Sequence, residues 1–156
     1  MKQLKVALLL AVLSITLFSC KKDSKDDSQP DSSKPSMSFK LNGTLEQTSI
    51  APVAQWYTSS GANNTLQVLG QVSTTEGIGL GLENPKVGTY DVVKDNLIVA
   101  YTSKTDTYQA TSGSITITAF SGSFVTGTFQ FTGTNFSNSK TVTITEGKFT
   151  SSVSKL

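Results

Sequence analysis

The sequence predicts a single all-β domain, an antiparallel β-sandwich or flattened barrel of about eight to ten strands, mostly a meander. Two observations predict this fold. Apolar and polar residues alternate with period two from residue 36 onward, and turn-forming residues separate the short alternating runs. No window in this part of the chain shows the apolar stripe of an amphipathic helix. The domain is expected to span residues 36–156, enough for one core.

The alternation assigns apolar residues to the core face of successive strands. The runs, in order, are Phe39, Leu41 and Leu45; Leu66, Val68, Gly70 and Val72; Ile78, Leu80 and Leu82; Leu97, Val99 and Tyr101; Ile115, Ile117 and Ala119; and Val125, Gly127, Phe129 and Phe131. Threonine fills many opposite positions, where its branched side chain suits a pleated strand and its hydroxyl meets water. Turns are predicted at 61–64, 84–85, 94–96, 121–123 and 135–140.

The last run changes parity. Val142 and Ile144 occupy even positions, whereas Phe149 and Val153 occupy odd ones, with Glu146-Gly147 between them. One extra residue at this dipeptide would return both pairs to the core face, which predicts a β-bulge with Gly147 supplying the unusual backbone dihedrals. The competing interpretation is a tight turn that starts a separate short strand.

The N-terminus predicts export and lipidation. Residues 1–19 read as a signal peptide, with Lys2 and Lys5 before an apolar run too short to span a bilayer. Cys20, the single cysteine, follows Ser19 directly and is the predicted lipidation site. Several acyl chains there would hold the protein firmly on a membrane. An ordinary secretory peptide whose cut discards the cysteine is the alternative.

Residues 20–35 comprise the lipidated cysteine and a predicted disordered tether. After Cys20, the segment KKDSKDDSQPDSSKP has no apolar residue except its two prolines, so it cannot offset its ordering entropy by burial. Such a tether would let the folded domain stand clear of the lipid headgroups.

Composition excludes several classes of function. Removal of the signal peptide takes away Lys2 and Lys5 and leaves a formally neutral chain without arginine, so nucleic acid is not an expected partner. The chain has no histidine, which excludes Ser-His-Asp and Cys-His catalysis and histidine metal sites. No cofactor or metal is expected.

The acidic residues allow one enzymatic alternative. A polysaccharide hydrolase needs two carboxylates across a cleft, and the folded region offers Glu46, Glu76, Glu83, Asp91, Asp95, Asp106 and Glu146. Nearly all fall at predicted turns or strand ends, where a solvated carboxylate needs no further explanation. Asp91, Asp95 and Asn96 offer oxygen ligands for calcium, but their spacing fits no known loop pattern, so a plain turn is the preferred interpretation.

Trp56 and Tyr57 are the candidate ligand contacts. They are adjacent in a strand-like run, so the pleat should send one ring inward and the other outward. An outward aromatic ring can stack on a sugar or anchor a partner protein. The simpler interpretation is structural, with the outer ring covering a threonine row or both rings buried by a loop. Tyr90 and Tyr101 are expected in the core or at its rim with satisfied hydroxyls.

The segments LFSCKKD, FKLNGT, GTY, GSITIT, GTFQF and TVTITEGKF resemble a family of uncharacterised Bacteroidetes lipoproteins. The resemblance implies an all-β domain of unknown function on the outer membrane and carries over no catalytic residue. In similar lipoproteins an acidic run after the cysteine directs export to the cell surface. Residues 21–27 are only half acidic here, so the cell surface and the periplasmic face both remain open.

These observations together predict a non-enzymatic lipoprotein of the envelope. Its β-domain would bind or scaffold a glycan, a small apolar ligand or another envelope protein, with the hydrolase as the alternative.

Overall fold

The structure, a computed structural model, describes residues 34–58 and 63–156. This part of the chain contains strands and turns but no helix, and it therefore offers no helix that could span a membrane. The strands are β1 (Ser36–Leu41), β2 (Thr44–Gln47), β3 (Val53–Thr58), β4 (Asn64–Gln71), β5 (Gly77–Glu83), β6 (Gly88–Asp91), β7 (Ile98–Thr102), β8 (Thr107–Phe120), β9 (Phe124–Thr134) and β10 (Thr141–Lys155). The predicted all-β fold and number of strands are confirmed.

Hydrogen-bonded pairing closes most of the sheet into a flattened ring. Going around it, β3 pairs β4, β4 pairs β5, β5 pairs β7, β7 pairs β8, β8 pairs β9, β9 pairs β10 and β10 returns to β3. The long strands β8 and β10 each pair β9 along one edge and two shorter strands along the other, β7 and β6 for β8, β1 and β3 for β10. Closure leaves few free strand edges.

One pairing departs from the predicted antiparallel meander. Val153, Ser154 and Lys155 of β10 run parallel to Ala54, Gln55 and Trp56 of β3. The two strands are far apart in the sequence, so no tight turn constrains them to be antiparallel. This short parallel contact is the seam that closes the ring.

The first hairpin corrects the predicted position of Leu45. Asn42 and Gly43 both have positive φ, 49° and 89°, as a two-residue type I′ turn requires. The turn sets Leu45 opposite Lys40, and residues directly opposite share a face of the sheet. Leu45 is therefore 60% exposed and lies outside the core, while Phe39 on the other face is fully buried.

The ring is filled by side chains from the inner face of every long strand. Aromatic rings form its centre, where Phe39 lies within 6.3 Å of Tyr101 and 6.0 Å of Phe129, and Phe129 lies 6.2 Å from Phe149, between ring centroids. Leu66, Leu80, Ile115 and Ile144 are fully buried around them. Two inward glycines, Gly70 and Gly127, admit the close approach of Met37 and Phe149 respectively.

The predicted bulge in β10 is confirmed, but the residue with the left-handed backbone conformation differs from the one predicted. Ile144 pairs Phe131 and Gly147 pairs Phe129, so β10 holds one extra residue there, and β10 continues unbroken. Glu146, with a φ of 52°, carries the left-handed conformation that was predicted for Gly147. The glycine is needed for space, because a Cβ at 147 would lie 2.5 Å from the Phe129 carbonyl oxygen.

A second bulge overturns one prediction. Ile117 pairs Gly127 whereas Ala119 pairs Thr126, so β8 also holds an extra residue between these positions. Ala119 consequently faces solvent and the following Phe120 packs on the core. The run of alternating threonines gives no sequence signal for this change of face.

Candidate functional site

The two outer faces of the flattened ring differ in chemistry. On β8 and β9 the outward residues are mostly threonine, and two threonine pairs bond across strands, Thr118 to Thr126 at 2.8 Å and, with β6, Thr89 to Thr116 at 2.9 Å. The outward residues of β3, β4, β5 and β7 are instead mostly aliphatic, glycine or amide-bearing, with Tyr57, Thr65, Glu83 and Thr102 as the exceptions at the strand ends. We call this second surface the β3–β7 face.

Strand β5 gives the β3–β7 face its shape. Its sequence GIGLGLE sends Ile78, Leu80 and Leu82 into the core, so the alternate outward positions are Gly77, Gly79 and Gly81. Three consecutive outward positions therefore lack a side chain, and β5 forms a trough between β4 and β7. The backbones of those two strands are about 10 Å apart across it.

Side chains from neighbouring strands form the walls of this glycine trough. Gly77 lies between Gln71 and Thr102, Gly79 between Leu69 and Ala100, and Gly81 between Gln67 and Ile98. On β3, Val53 lies opposite Leu69 and Gln55 opposite Gln67. Ile98, on β7, is 80% exposed.

The trough continues into a groove of about 590 Å³. Ile50 and Ala51, in the link before β3, add a further wall beside Val53. Among the described residues that line the groove, none is charged, and the polar ones are Gln55, Gln71 and Thr102. This groove can hold a neutral ligand that offers both apolar surface and hydrogen-bonding groups.

Trp56 and Tyr57 divide as the pleat predicts. Trp56 packs against the core, with its ring centroid 5.3 Å from that of Phe120. Tyr57 lies on the β3–β7 face and is 38% exposed. Its hydroxyl donates to Gln55 Oε1 at 2.6 Å, so it orients the Gln55 amide at the trough, and it lies 3.5 Å from Gln67 Oε1.

None of the acidic side chains lines this groove among the described residues, and most of them accept structural hydrogen bonds. Glu146 accepts from Lys40 at 2.7 Å, Glu83 from Asn63 at 2.9 Å and Glu76 from Ser73 at 3.3 Å. Asp106 accepts from Asn135 at 2.9 Å and Asn138 at 2.8 Å, and Glu46 lies on the short strand β2. These contacts assign each of the bonded carboxylates a local role in a turn or bulge.

Asp91 and Asp95 cap the turn between β6 and β7. Asp91 Oδ1 accepts from the backbone N–H groups of Lys94 at 2.9 Å and Val93 at 3.0 Å, and these bonds lower the pKa of Asp91. Asp95 Oδ2 accepts from the Asp91 N–H at 2.7 Å. The carboxylates thus satisfy backbone donors, in agreement with a plain turn. No cluster of three potential metal-ligating side chains occurs in residues 34–58 and 63–156.

Tyr90 and Tyr101, which the sequence places in the core or at its rim, differ in how their side chains are held. Tyr90 bonds the backbone of Lys86 twice, donating to its carbonyl at 2.9 Å and accepting from its N–H at 2.6 Å, as expected for a satisfied rim residue. Tyr101 is buried beside Tyr108, with 6.2 Å between ring centroids. Burial raises the pKa of Tyr101, and the negative charges of Glu76 and Glu46 raise it further.

The model of a family described as a domain of unknown function (DUF6252) matches residues 53–152. The chain belongs to this family. The DUF6252 match begins at β3 and covers the strands that build the β3–β7 face, leaving the β1–β2 hairpin outside it. A comparison with curated proteins found no match. Cys20, the predicted signal peptide and nearly all of the predicted tether lie outside the described residues.

Sequence reasoning singled out Trp56 and Tyr57 as candidate contacts but missed the trough beside Tyr57. The signal was present in two places. GIGLGLE places glycine at every second position while its inward residues are all aliphatic, and Leu69 and Ile98 occupy outward positions where other strands carry threonine. The alternating glycines of β5 predict a close backbone neighbour, and Gly81 has one, because a Cβ there would lie 3.1 Å from the Ile98 carbonyl oxygen. Gly79 differs, since it lines the open groove and a Cβ there would meet only Leu69 Cδ2, at 3.5 Å.

Proposed function

We propose that this protein is a non-enzymatic binding module of the bacterial envelope, lipid-anchored through Cys20 at the outer membrane, and that its ligand contacts the β3–β7 face. The observation that carries the proposal is the uncharged, glycine-floored groove on a sheet whose other outer face is covered with threonine. A concave apolar surface with a few oriented polar groups is the usual form of a binding site.

Three features support the choice of this face. Ile50, Val53, Leu69 and Ile98 expose aliphatic surface that the fold itself does not need. Tyr57 presents its ring at the edge of the same surface and orients Gln55. Contiguous exposed apolar surface on a folded domain typically marks an interaction site.

The outer-membrane location and the kinship with Bacteroidetes lipoproteins belong to the same proposal. They are supported by the LFSC sequence ending at Cys20 and by the polar segment that follows it. The balance of Lys and Asp in residues 21–27 leaves the cell surface and the periplasmic face as alternatives.

A polysaccharide hydrolase is the second candidate function, and its only support is that the folded region has enough carboxylates to supply a catalytic pair. Most of those carboxylates already accept hydrogen bonds that shape turns, and none lines the groove among the described residues. Turnover of a polysaccharide by the purified protein, lost on mutation of one acid, would replace the binding proposal with the hydrolase.

Photo-crosslinking in intact cells tests the binding proposal. A photoreactive amino acid replaces Ile98 on the β3–β7 face or Thr118 on the threonine face, which serves as the matched control because both side chains are exposed. We expect adducts with an envelope component from position 98 and few from position 118. Equal yields at both positions, or none at 98, would contradict the proposal.

A substitution at Tyr57 separates binding from folding. Once a ligand is captured, Tyr57→Ala should weaken its binding by roughly 1–3 kcal/mol, as for an anchor residue, and leave the melting curve nearly unchanged. Because the groove is uncharged, affinity should change little between low and moderate salt. A steep salt dependence would point to a different, charged surface.

A further inference from the structure

We infer that the glycine trough binds an extended, uncharged glycan chain, an inference that rests on the proposed binding function and names the ligand class for that site. The trough runs along β5 from Gly77 to Gly81, so the ligand that fills it is long and narrow. Its floor is glycine backbone and is most open at Gly79, where a Cβ would meet only Leu69 Cδ2 at 3.5 Å, so a flat ring can lie directly on the sheet there.

The hydrogen-bonding groups beside the trough match vicinal hydroxyls. Gln67 and Gln71 lie along one wall, Thr102 on the other and Gln55 next to Gln67. Each amide offers both a donor and an acceptor, as a sugar hydroxyl also does. Because Gln55 Oε1 accepts the Tyr57 hydroxyl at 2.6 Å, its NH₂ group is directed toward other acceptors.

The apolar part of the site suits the C–H faces of sugar rings. Leu69 and Ala100 face each other across Gly79, and Val53 extends the same row. The exposed ring of Tyr57 adds a stacking surface at one end. A carbohydrate is both apolar on its ring faces and rich in hydroxyls at its edges, so it satisfies both parts of this surface.

Other ligand classes fit less well. An extended peptide binds a sheet by pairing with a free edge, but β5 is already paired on both sides by β4 and β7. A hydrocarbon chain would cover the glutamine amides without replacing their hydrogen bonds to water, which is costly. A charged polymer would find no charged partner among the described residues that line the groove.

The test is an NMR titration of the isotope-labelled full-length chain, purified in detergent, with cellohexaose, laminarihexaose and maltohexaose as probes. Gly79→Thr fills the trough, and Ala119→Thr adds the same side chain to an exposed position on β8 as the matched control. A Cβ at position 79 meets only Leu69 Cδ2, at 3.5 Å, so the variant is expected to fold, which its melting curve verifies.

We expect at least one of the three probes to shift the amide signals of Gly77, Gly79 and Gly81. Gly79→Thr should weaken that binding by about tenfold or more, and Ala119→Thr should leave it within about twofold. Hexagalacturonate, a charged probe of similar length, should bind far more weakly than the neutral one.

Several outcomes would overturn the inference. They are no binding of any of the three neutral probes, binding that Gly79→Thr leaves intact, and equal binding of hexagalacturonate. Self-association in analytical ultracentrifugation that Gly79→Thr abolishes would assign the trough to a second copy of the chain. In each case, crosslinking from position 98 in cells still decides separately whether the β3–β7 face is a binding surface.

Discussion

Glu146 occupies the left-handed position of the β10 bulge, with a φ of 52°, where glycine is the usual residue. This backbone conformation costs an ordinary L-residue about 1–2 kcal/mol. Its carboxylate bonds Lys40 at 2.7 Å, but the two side chains are 64% and 38% exposed, so the ion pair contributes at most about 1 kcal/mol. The bulge therefore tolerates Glu146 with little net stabilisation from it.

A pair of substitutions separates these two effects. Glu146→Gly and Glu146→Gln both remove the negative charge, but only glycine relieves the backbone conformation. We expect Glu146→Gly to be more stable than Glu146→Gln by about 0.5–1 kcal/mol in urea unfolding, after allowing for the greater chain entropy of unfolded glycine. Equal stability of the two variants would show that the cost of the φ at 146 is no larger than the entropy cost of glycine, contrary to this expectation.

Tyr101 should make stability depend on alkaline pH. Its pKa in the folded protein lies above the ordinary value of 10.0, chiefly because of burial and then because of Glu76 and Glu46. Below pH 10 both states hold the proton and the stabilising contribution is complete. Above it the unfolded chain loses its proton first, so stability falls as the pH rises through the folded pKa.

The matched variants are Tyr101→Phe and Tyr57→Phe. Chemical unfolding between pH 8 and 11 should show a smaller alkaline loss for Tyr101→Phe than for the wild type. Tyr57→Phe, which changes an exposed ring, should follow the wild type. If all three proteins lose stability in parallel, the tyrosine at 101 is not responsible.

At the scale of elements, the period-two alternation correctly assigned residues to the core or the outer face wherever a strand was regular. It assigned Leu66, Leu80 and Phe129 to the core and required Trp56 and Tyr57 to lie on opposite faces, because one face of each strand is buried. It was wrong for Leu45 and Ala119, where a two-residue turn and an extra residue shift the parity. Such shifts depend on backbone geometry, to which threonine-rich runs give no local clue.

For the candidate site, one feature follows from local sequence and another depends on which strands pair. That β5 presents glycine on one face follows from its sequence alone. That β7 flanks β5 with Ala100 depends on a pairing that skips a strand, because β6 lies between β5 and β7 in sequence but pairs β8. The trough could be suspected from the sequence, but its wall on β7 could not be named.

The bulge element provides a stability prediction. Gly147→Ala should cost roughly 1–3 kcal/mol, because its Cβ would lie 2.5 Å from both the carbonyl oxygen and Cδ2 of Phe129, in a region that cannot yield freely. Gly147→Val, with more bulk, should cost more. Gly79→Ala is the control, since its Cβ meets only a side-chain methyl at 3.5 Å. A similar loss of stability in both alanine variants, measured by urea unfolding, would remove the steric explanation for Gly147.

At the scale of the whole molecule, the ring separates a threonine face from the β3–β7 face, and the chain enters it at one place. β1 begins at Ser36, and the groove formed by Pro35, Ser36 and the Thr48–Ala51 segment adjoins the glycine trough through Ile50 and Ala51. The tether that the sequence predicts over residues 20–35 would therefore join the domain beside the candidate binding surface. Together with a lipid anchor at Cys20, it would hold this surface near a membrane and leave it free to turn.

The anchor itself is tested by Cys20→Ser in the full-length chain. A thioether-linked diacylglycerol requires the thiol, so the serine variant cannot acquire the lipid. It should remain unprocessed or become soluble, and it should leave the detergent phase when a Triton X-114 extract is warmed. The domain lies far along the chain from residue 20, so its melting temperature should equal that of the wild type, which excludes misfolding as the cause. Unchanged partitioning of Cys20→Ser would refute lipid anchoring and leave an ordinary secretory signal as the interpretation of residues 1–19.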